Sequence, residues 1–309
     1  MVKAKLGANQ LGKKIIMSKH NLETPVWKAG ASKAAPIVED YSDFEPGNYT
    51  FNGVSRPVYK SGTGPAIIVI HEVPGIYDAV WNFARRLNKE GFTTYLPSLL
   101  GSPGMPYSTG NLLKSMTKLC ISKEFNRFAF REEAPIAEWL RALARDAHRS
   151  CGGSGVGAIG MCFSGGFALA MMADESVIAP VLSQPSMPLT ISKKLRRDID
   201  VNASDIPKIK ARMERDDICL IGLRFSGDKL VPAGRFKYLT ETFGEKFVGI
   251  SIDSSSGNPH NIKSTAHSVL TRDYVDDKDH PTYQAFQKVL ALFKKQLCSV
   301  PANSDSVDG

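Results

Sequence analysis

Apolar positions along this chain alternate between two rhythms. Pro65 to Ile70 is a continuous apolar run rich in isoleucine, which predicts a strand covered on both faces, as in a parallel sheet. Asp78 follows as the predicted N-cap of a helix whose Val80, Phe83, Ala84 and Leu87 share one face, with Gly91 as terminator. Phe92 to Leu96 is a second strand. The alternation resumes with a helix over Glu132 to His148, striped by Ile136, Trp139, Leu140 and Leu143, and with a strand that opens at Val156. Further strands are predicted over Ser176 to Leu182, Ile218 to Phe225 and Phe247 to Ile252, and helices over Pro232 to Phe243 and Thr282 to Leu297. This order predicts an α/β protein: a mostly parallel sheet with right-handed crossovers and helices on both faces.

Upstream, Tyr49 to Phe51 and Val54 to Tyr59 flank Asn52-Gly53, a strong signal for an N-terminal β-hairpin, and Pro57 predicts that its second strand lies at a sheet edge. Two stretches break the rhythm. Gly101 to Arg131 holds Pro103, Pro106, Gly110 and a weak helix, and Pro185 to Asp217 holds basic clusters over Lys193 to Arg197 and Lys208 to Arg215. Insertions after strand C-termini lie over the ligand crevice of such sheets, so both are lid or pocket candidates. For the charge clusters a solvated surface is the plainer reading. The expected organisation is a basic tail and extended segment over 1–47, one α/β domain over 48–299 with insertions at about 101–131 and 185–217, and a disordered tail over 300–309.

Composition narrows the classes. The chain has 309 residues, of which 42% are hydrophobic, enough for a sizeable core, and no apolar run long enough to span a membrane. The net charge of +8 comes partly from Lys3, Lys5, Lys13, Lys14 and Lys19 near the start, where there is no apolar core of a secretory signal. The remaining charge is spread out and no RNA-binding or zinc-finger motif appears, so an acidic small substrate fits better than a nucleic acid. Five scattered cysteines, Cys120, Cys151, Cys162, Cys219 and Cys298, resemble neither a disulfide framework nor a zinc site, and a reducing cytoplasm is expected.

The candidate chemistry gathers at Val156 to Ala170. A short apolar strand ends at Gly160-Met161-Cys162-Phe163-Ser164 and a helix-forming stretch follows at once. In a nucleophile elbow the reactive residue sits at such a strained corner, and small neighbours two positions away let the backbone bend. Gly160 and Ser164 are both small. A thiol at a helix start is in a setting that favours thiolate, although a free cysteine is as often a small buried hydrophobe. Ser164 is a second candidate nucleophile, in the frame Cys162 to Gly166. A cysteine nucleophile needs a base and an orienting acid. His260 and His267 both lie in the long loop after the last strand, and Asp228 follows a strand end in Phe225-Ser226-Gly227-Asp228-Lys229-Leu230-Val231-Pro232. Nucleophile, acid and histidine then stand in the order found in α/β-hydrolases.

With His71-Glu72-Val73-Pro74-Gly75-Ile76, Gly160 to Gly165, Gly227 to Pro232 and Ala266-His267-Ser268 in place, the chain resembles the dienelactone hydrolase family of the α/β-hydrolase superfamily over roughly Tyr49 to Leu297. That resemblance implies an α/β-hydrolase fold, with Cys162 as nucleophile, Asp228 as orienting acid and His267 as base. It further implies Glu72 as a carboxylate that controls the thiol, and the backbone N–H groups of Val73 and Phe163 as the oxyanion hole. The implied activity is hydrolysis of a small ester or lactone through an acyl-thioester, with no metal or organic cofactor required and no nucleic acid or membrane as partner. Two departures stand out. Ser164 replaces the family's usual glycine, and the arginines that grip a substrate carboxylate have no match near Ser98 to Ser102 or directly after His267, where an arginine arrives only at Arg272. The same fold acting on another acyl group (a thioester, a peptide or a transfer acceptor) and a non-catalytic binding protein are the alternative readings.

Overall fold

The structure, a computed structural model, describes residues 26–29, 40–121, 135–186 and 201–298. Its strands are β1 (Val26–Ala29), β2 (Glu45–Phe51), β3 (Val54–Ser61), β4 (Ala66–Ile70), β5 (Thr93–Pro97), β6 (Val156–Met161), β7 (Val177–Ser183), β8 (Leu220–Phe225) and β9 (Phe247–Ile252). They form one nine-stranded sheet in the order β1-β2-β3-β5-β4-β6-β7-β8-β9. From β5 to β9 every pairing is parallel, and the β1-β2-β3 end joins β5 antiparallel. The predicted α/β class, mostly parallel sheet and N-terminal hairpin are therefore borne out.

The helices are α1 (Asp78–Lys89), α2 (Thr109–Ile121), α3 (Pro135–Cys151), α4 (Gly165–Met171), α5 (Asp205–Arg215), α6 (Ala233–Phe243) and α7 (Pro281–Leu297). They cover both faces, because alternate residues of each strand point to opposite sides. Ile67 and Val69 face Val80, Phe83 and Leu87 of α1 and Phe286, Val289 and Phe293 of α7. Ile68 and Ile70 face the other layer, with Trp139, Leu140 and Leu143 of α3, Phe167 of α4 and Ile209 of α5. All five residues of β4 are fully buried, which is why its sequence is apolar without alternation.

Two local expectations are corrected. Pro57 is not on an edge strand: β3 lies between β2 and β5. Its carbonyl accepts the Ser98 N–H, past the last residue of β5, so the donor that proline lacks falls where the neighbouring strand has already ended. Asp78 is the first helical residue rather than the N-cap; that position belongs to Tyr77, and Asp78 places its charge in the first turn instead. Asn52 and Gly53 take φ of 47° and 73°, as the tight hairpin requires. In the basic cluster Lys208 to Arg215, Arg212 points inward and donates to the carbonyls of Met172, Asp174, Val177 and Glu175, closing the C-terminal end of α4 against β7. The cluster Lys193 to Arg197, residues 122–134, residues 1–25 and 30–39 of the expected N-terminal segment, and the predicted tail over 300–309 lie outside the described residues.

Candidate active site

β4, β6, β7, β8 and β9 run parallel side by side, so the loops leaving their C-terminal ends converge on one rim of the sheet. Every predicted site residue lies on these loops. β6 ends at Met161 and Cys162 turns with φ of 56°, a left-handed conformation uncommon for a non-glycine residue. Gly160 makes the bend possible, since a Cβ there would lie 2.1 Å from the Ser164 carbonyl oxygen. The Ser164 hydroxyl accepts the Met161 N–H at 2.8 Å and shares its proton between the Ile70 and Met161 carbonyls, each at 2.9 Å. Fully buried and committed to the main chain, Ser164 ties the elbow to the end of β4. Its hydroxyl proton and one lone pair are thereby engaged by the main chain.

The Cys162 sulfur is half-buried and stands 2.9 Å from the Ser186 hydroxyl oxygen. The Asp228 side chain, 3% exposed at the end of β8, accepts the His267 Nδ1–H at 2.7 Å and the Leu230 N–H at 2.8 Å. Arg224 braces this turn, donating to the Val231 and Ser226 carbonyls, both at 2.9 Å. His267 Nε2 is buried and makes no hydrogen bond among the described residues. Burial is the largest influence on this imidazole and lowers its pKa, yet the negative charge of Cys162, with the charge and hydrogen bond of Asp228, raises it well above 6.5. The structure thus brings Cys162, Asp228 and His267 together. His260 is elsewhere, its ring 5.3 Å from that of His280.

Glu72, the carboxylate expected to control the thiol, follows the end of β4. Only 1% exposed, it accepts hydrogen bonds from Tyr77 (2.6 Å), Ser268 (2.8 Å), Gln184 (3.0 Å) and Thr271, and none of these bonds reaches Cys162. Four neutral donors reach it because three loops meet there. His71 is buried as well. Its Nε2 accepts the Leu99 and Leu100 N–H groups and its Nδ1–H donates to the Glu72 carbonyl, which sets one neutral tautomer, and burial lowers its pKa to about 4. Val73 and Phe163 follow the neighbouring ends of β4 and β6 and belong to the same apolar cluster. Arg272, the arginine that follows His267, lies over the Tyr107 ring at 4.7 Å.

Sequence reasoning missed Ser186, Gln184, Thr271 and Asp273. Asp273 accepts the N–H groups of His267 (2.8 Å) and Ser268 (2.9 Å) and so fixes the backbone of the base. The one available signal was position, since Gln184 and Ser186 stand just past the end of β7. Among the described residues no three His, Cys, Asp or Glu side chains gather as a metal site, and no helix is long and apolar enough to cross a membrane.

A model of the dienelactone hydrolase family matches residues 54–297. The chain belongs to the dienelactone hydrolase family. A Salmonella typhi protein described as a carboxymethylenebutenolidase is 26% identical over 95 residues, 31% of this chain, and that stretch spans 35% of the relative's length. A Klebsiella pneumoniae protein described as a dienelactone hydrolase has a similar structure, with TM-score 0.50 and 17% identity over 79% of this chain and 95% of its own. A dienelactone hydrolase-like promiscuous phosphotriesterase from metagenomic libraries also has TM-score 0.50, at 16% identity over 82% of this chain and 98% of its own. The fold is that of the α/β-hydrolases, as the resemblance implied.

Proposed function

We propose that this member of the dienelactone hydrolase family hydrolyses a small ester or lactone with Cys162 as nucleophile, His267 as base and Asp228 as the acid that orients it. The observation that carries this reading is the 2.7 Å bond from His267 to Asp228, with the other imidazole nitrogen left unbonded beside a cysteine on a strained elbow. Asp228 holds the proton on Nδ1, so Nε2 is the nitrogen that exchanges a proton with the thiol.

The Cys162 sulfur attacks the acyl carbon, and its proton resides on His267. The tetrahedral oxyanion is held by the N–H groups of Val73 and Phe163; losing one such donor typically slows turnover about 100-fold or more. His267 gives its proton to the departing alkoxide, leaving an acyl-thioester on Cys162. Water, deprotonated by His267, then attacks the thioester and releases the acid and the thiol. A net charge of +8 favours approach of an anionic substrate, and the free cysteines suit a reducing compartment, which we take to be the cytoplasm.

The test is hydrolysis of a panel of aryl esters and lactones by wild type and Cys162→Ala, with iodoacetamide labelling read by mass spectrometry. Turnover lost in the variant, and selective labelling of Cys162 that depends on His267, is the expected result. No turnover of any acyl substrate, with Cys162 no more reactive than Cys298, overturns the reading.

A further inference from the structure

Among the described residues, the Ser186 side chain makes a hydrogen bond with the reacting sulfur. The Ser186 hydroxyl oxygen is 2.9 Å from Cys162 Sγ, and the Ser186 N–H donates to the Cys162 carbonyl at 3.0 Å. The main-chain bond locks the two residues together, so the hydroxyl meets the sulfur through fixed geometry. The segment also has little room to retreat: a Cβ on Gly165 would lie 2.6 Å from Pro185 Cβ. Behind it Gln184, fully buried, donates to Glu72 at 3.0 Å and accepts the Val269 N–H at 3.2 Å. Ser186 itself is 8% exposed, which leaves the hydroxyl few partners other than sulfur.

A hydroxyl can accept from a thiol but must donate to a thiolate. The charged groups around this sulfur are His267, with Asp228 behind it, and Glu72, whose hydrogen bonds all go elsewhere. In the proposed reaction His267 takes the thiol proton, and the sulfur that faces the Ser186 hydroxyl is then the acceptor.

We propose that Ser186 is a further catalytic residue, whose hydroxyl donates a hydrogen bond to the Cys162 thiolate and holds the sulfur at the elbow until it bonds to the acyl carbon. This inference rests on the reading of Cys162 as nucleophile. The serine keeps its proton throughout; the thiol proton goes to His267, and formation of the S–C bond removes the charge that the hydroxyl had stabilised. When the S–C bond breaks in deacylation the electron pair returns to sulfur, and the same hydroxyl receives the thiolate again.

The test uses the full chain with Ser186→Ala and Ser186→Thr, following alkylation of the Cys162 peptide by iodoacetamide across pH and the acylation and deacylation rates of an aryl ester. In Ser186→Ala the midpoint of the alkylation profile moves up by about one pH unit, and labelling below it slows about tenfold, the size of a hydrogen bond to a charged group. Acylation below that midpoint slows with it, and Ser186→Thr restores both profile and rate. Thermal unfolding checks that the variants fold. If alanine compromises folding, thiolate absorbance of wild type and Ser186→Thr across pH replaces the alkylation comparison, and a midpoint that differs by more than about one unit despite the retained hydroxyl overturns the proposal. An unchanged alkylation profile in folded Ser186→Ala also overturns it. Retained turnover in Cys162→Ala instead sinks the nucleophile reading, so the two failures are distinct.

Discussion

At the scale of single residues, two histidines show opposite answers to burial. His267 is buried beside negative charge, and the charges at Cys162 and Asp228 outweigh desolvation, so its pKa rises well above 6.5. Asp228→Asn removes one of the causes and leaves Nδ1 without an anionic acceptor. We expect the imidazole titration, followed by nitrogen NMR, to move down, and kcat to fall about 10³- to 10⁴-fold as in other triads that lose this acid. An unchanged kcat would remove Asp228 from the mechanism. His71 is buried with no charge to help it, and its pKa falls to about 4. Between pH 6.5 and 4 the unfolded chain therefore takes up a proton that the folded chain refuses. The stabilisation from keeping His71 neutral is complete above pH 6.5 and is lost as pH falls toward 4, on the order of 3 kcal/mol. His71→Asn should lower stability at pH 7 but flatten its acid dependence in urea unfolding across that window; an unaltered slope would refute the assignment. Neither shift was legible in the sequence, where His71 was only a strand-end histidine. Burial and neighbouring charge are properties of the folded environment.

At the scale of elements, the elbow shows how much a local pattern can carry. The apolar run, the glycine at 160 and the following helix-forming residues identified strand, corner and helix, because sterics at Gly160 and apolar burial on both faces of β6 leave few alternatives. What the pattern could not reveal is that Ser164 fastens the corner to β4, 94 residues away in the chain. Ser164→Ala leaves the buried Met161 N–H and the Ile70 carbonyl without this partner, a cost of about 1–3 kcal/mol in urea unfolding. Ester turnover should survive that change, whereas abolished turnover with an intact fold would revive Ser164 as nucleophile. Pro57 teaches the complementary lesson. A missing N–H forbids pairing at one position on one side, and β5 stops short of that position, so the strand is internal although its proline suggested an edge.

At the scale of the whole molecule, parallel strands bring Glu72, Cys162, Gln184, Asp228 and His267 to one rim although nearly 200 residues separate the first from the last. Glu72 draws three loops together through Tyr77, Gln184, Ser268 and Thr271, and two of these residues lie in the loop of the base. Glu72→Gln exchanges an acceptor-only group for one carrying its own donors, which should cost about 2 kcal/mol in urea unfolding and lower kcat through a displaced His267. Iodoacetamide labelling of Cys162 should stay close to wild type. A large change in labelling with normal stability would instead support Glu72 as the group that controls the thiol. The sequence by itself determined the strand and helix order, the elbow, and the three residues in their order along the chain, because periodicity, glycine sterics and side-chain chemistry are local. Only the tertiary structure decided that Glu72 ties loops together, that Ser186 meets the sulfur and that Asp273 anchors the base. Those partners depend on which loop ends the sheet sets side by side, and no spacing along the chain encodes that distance.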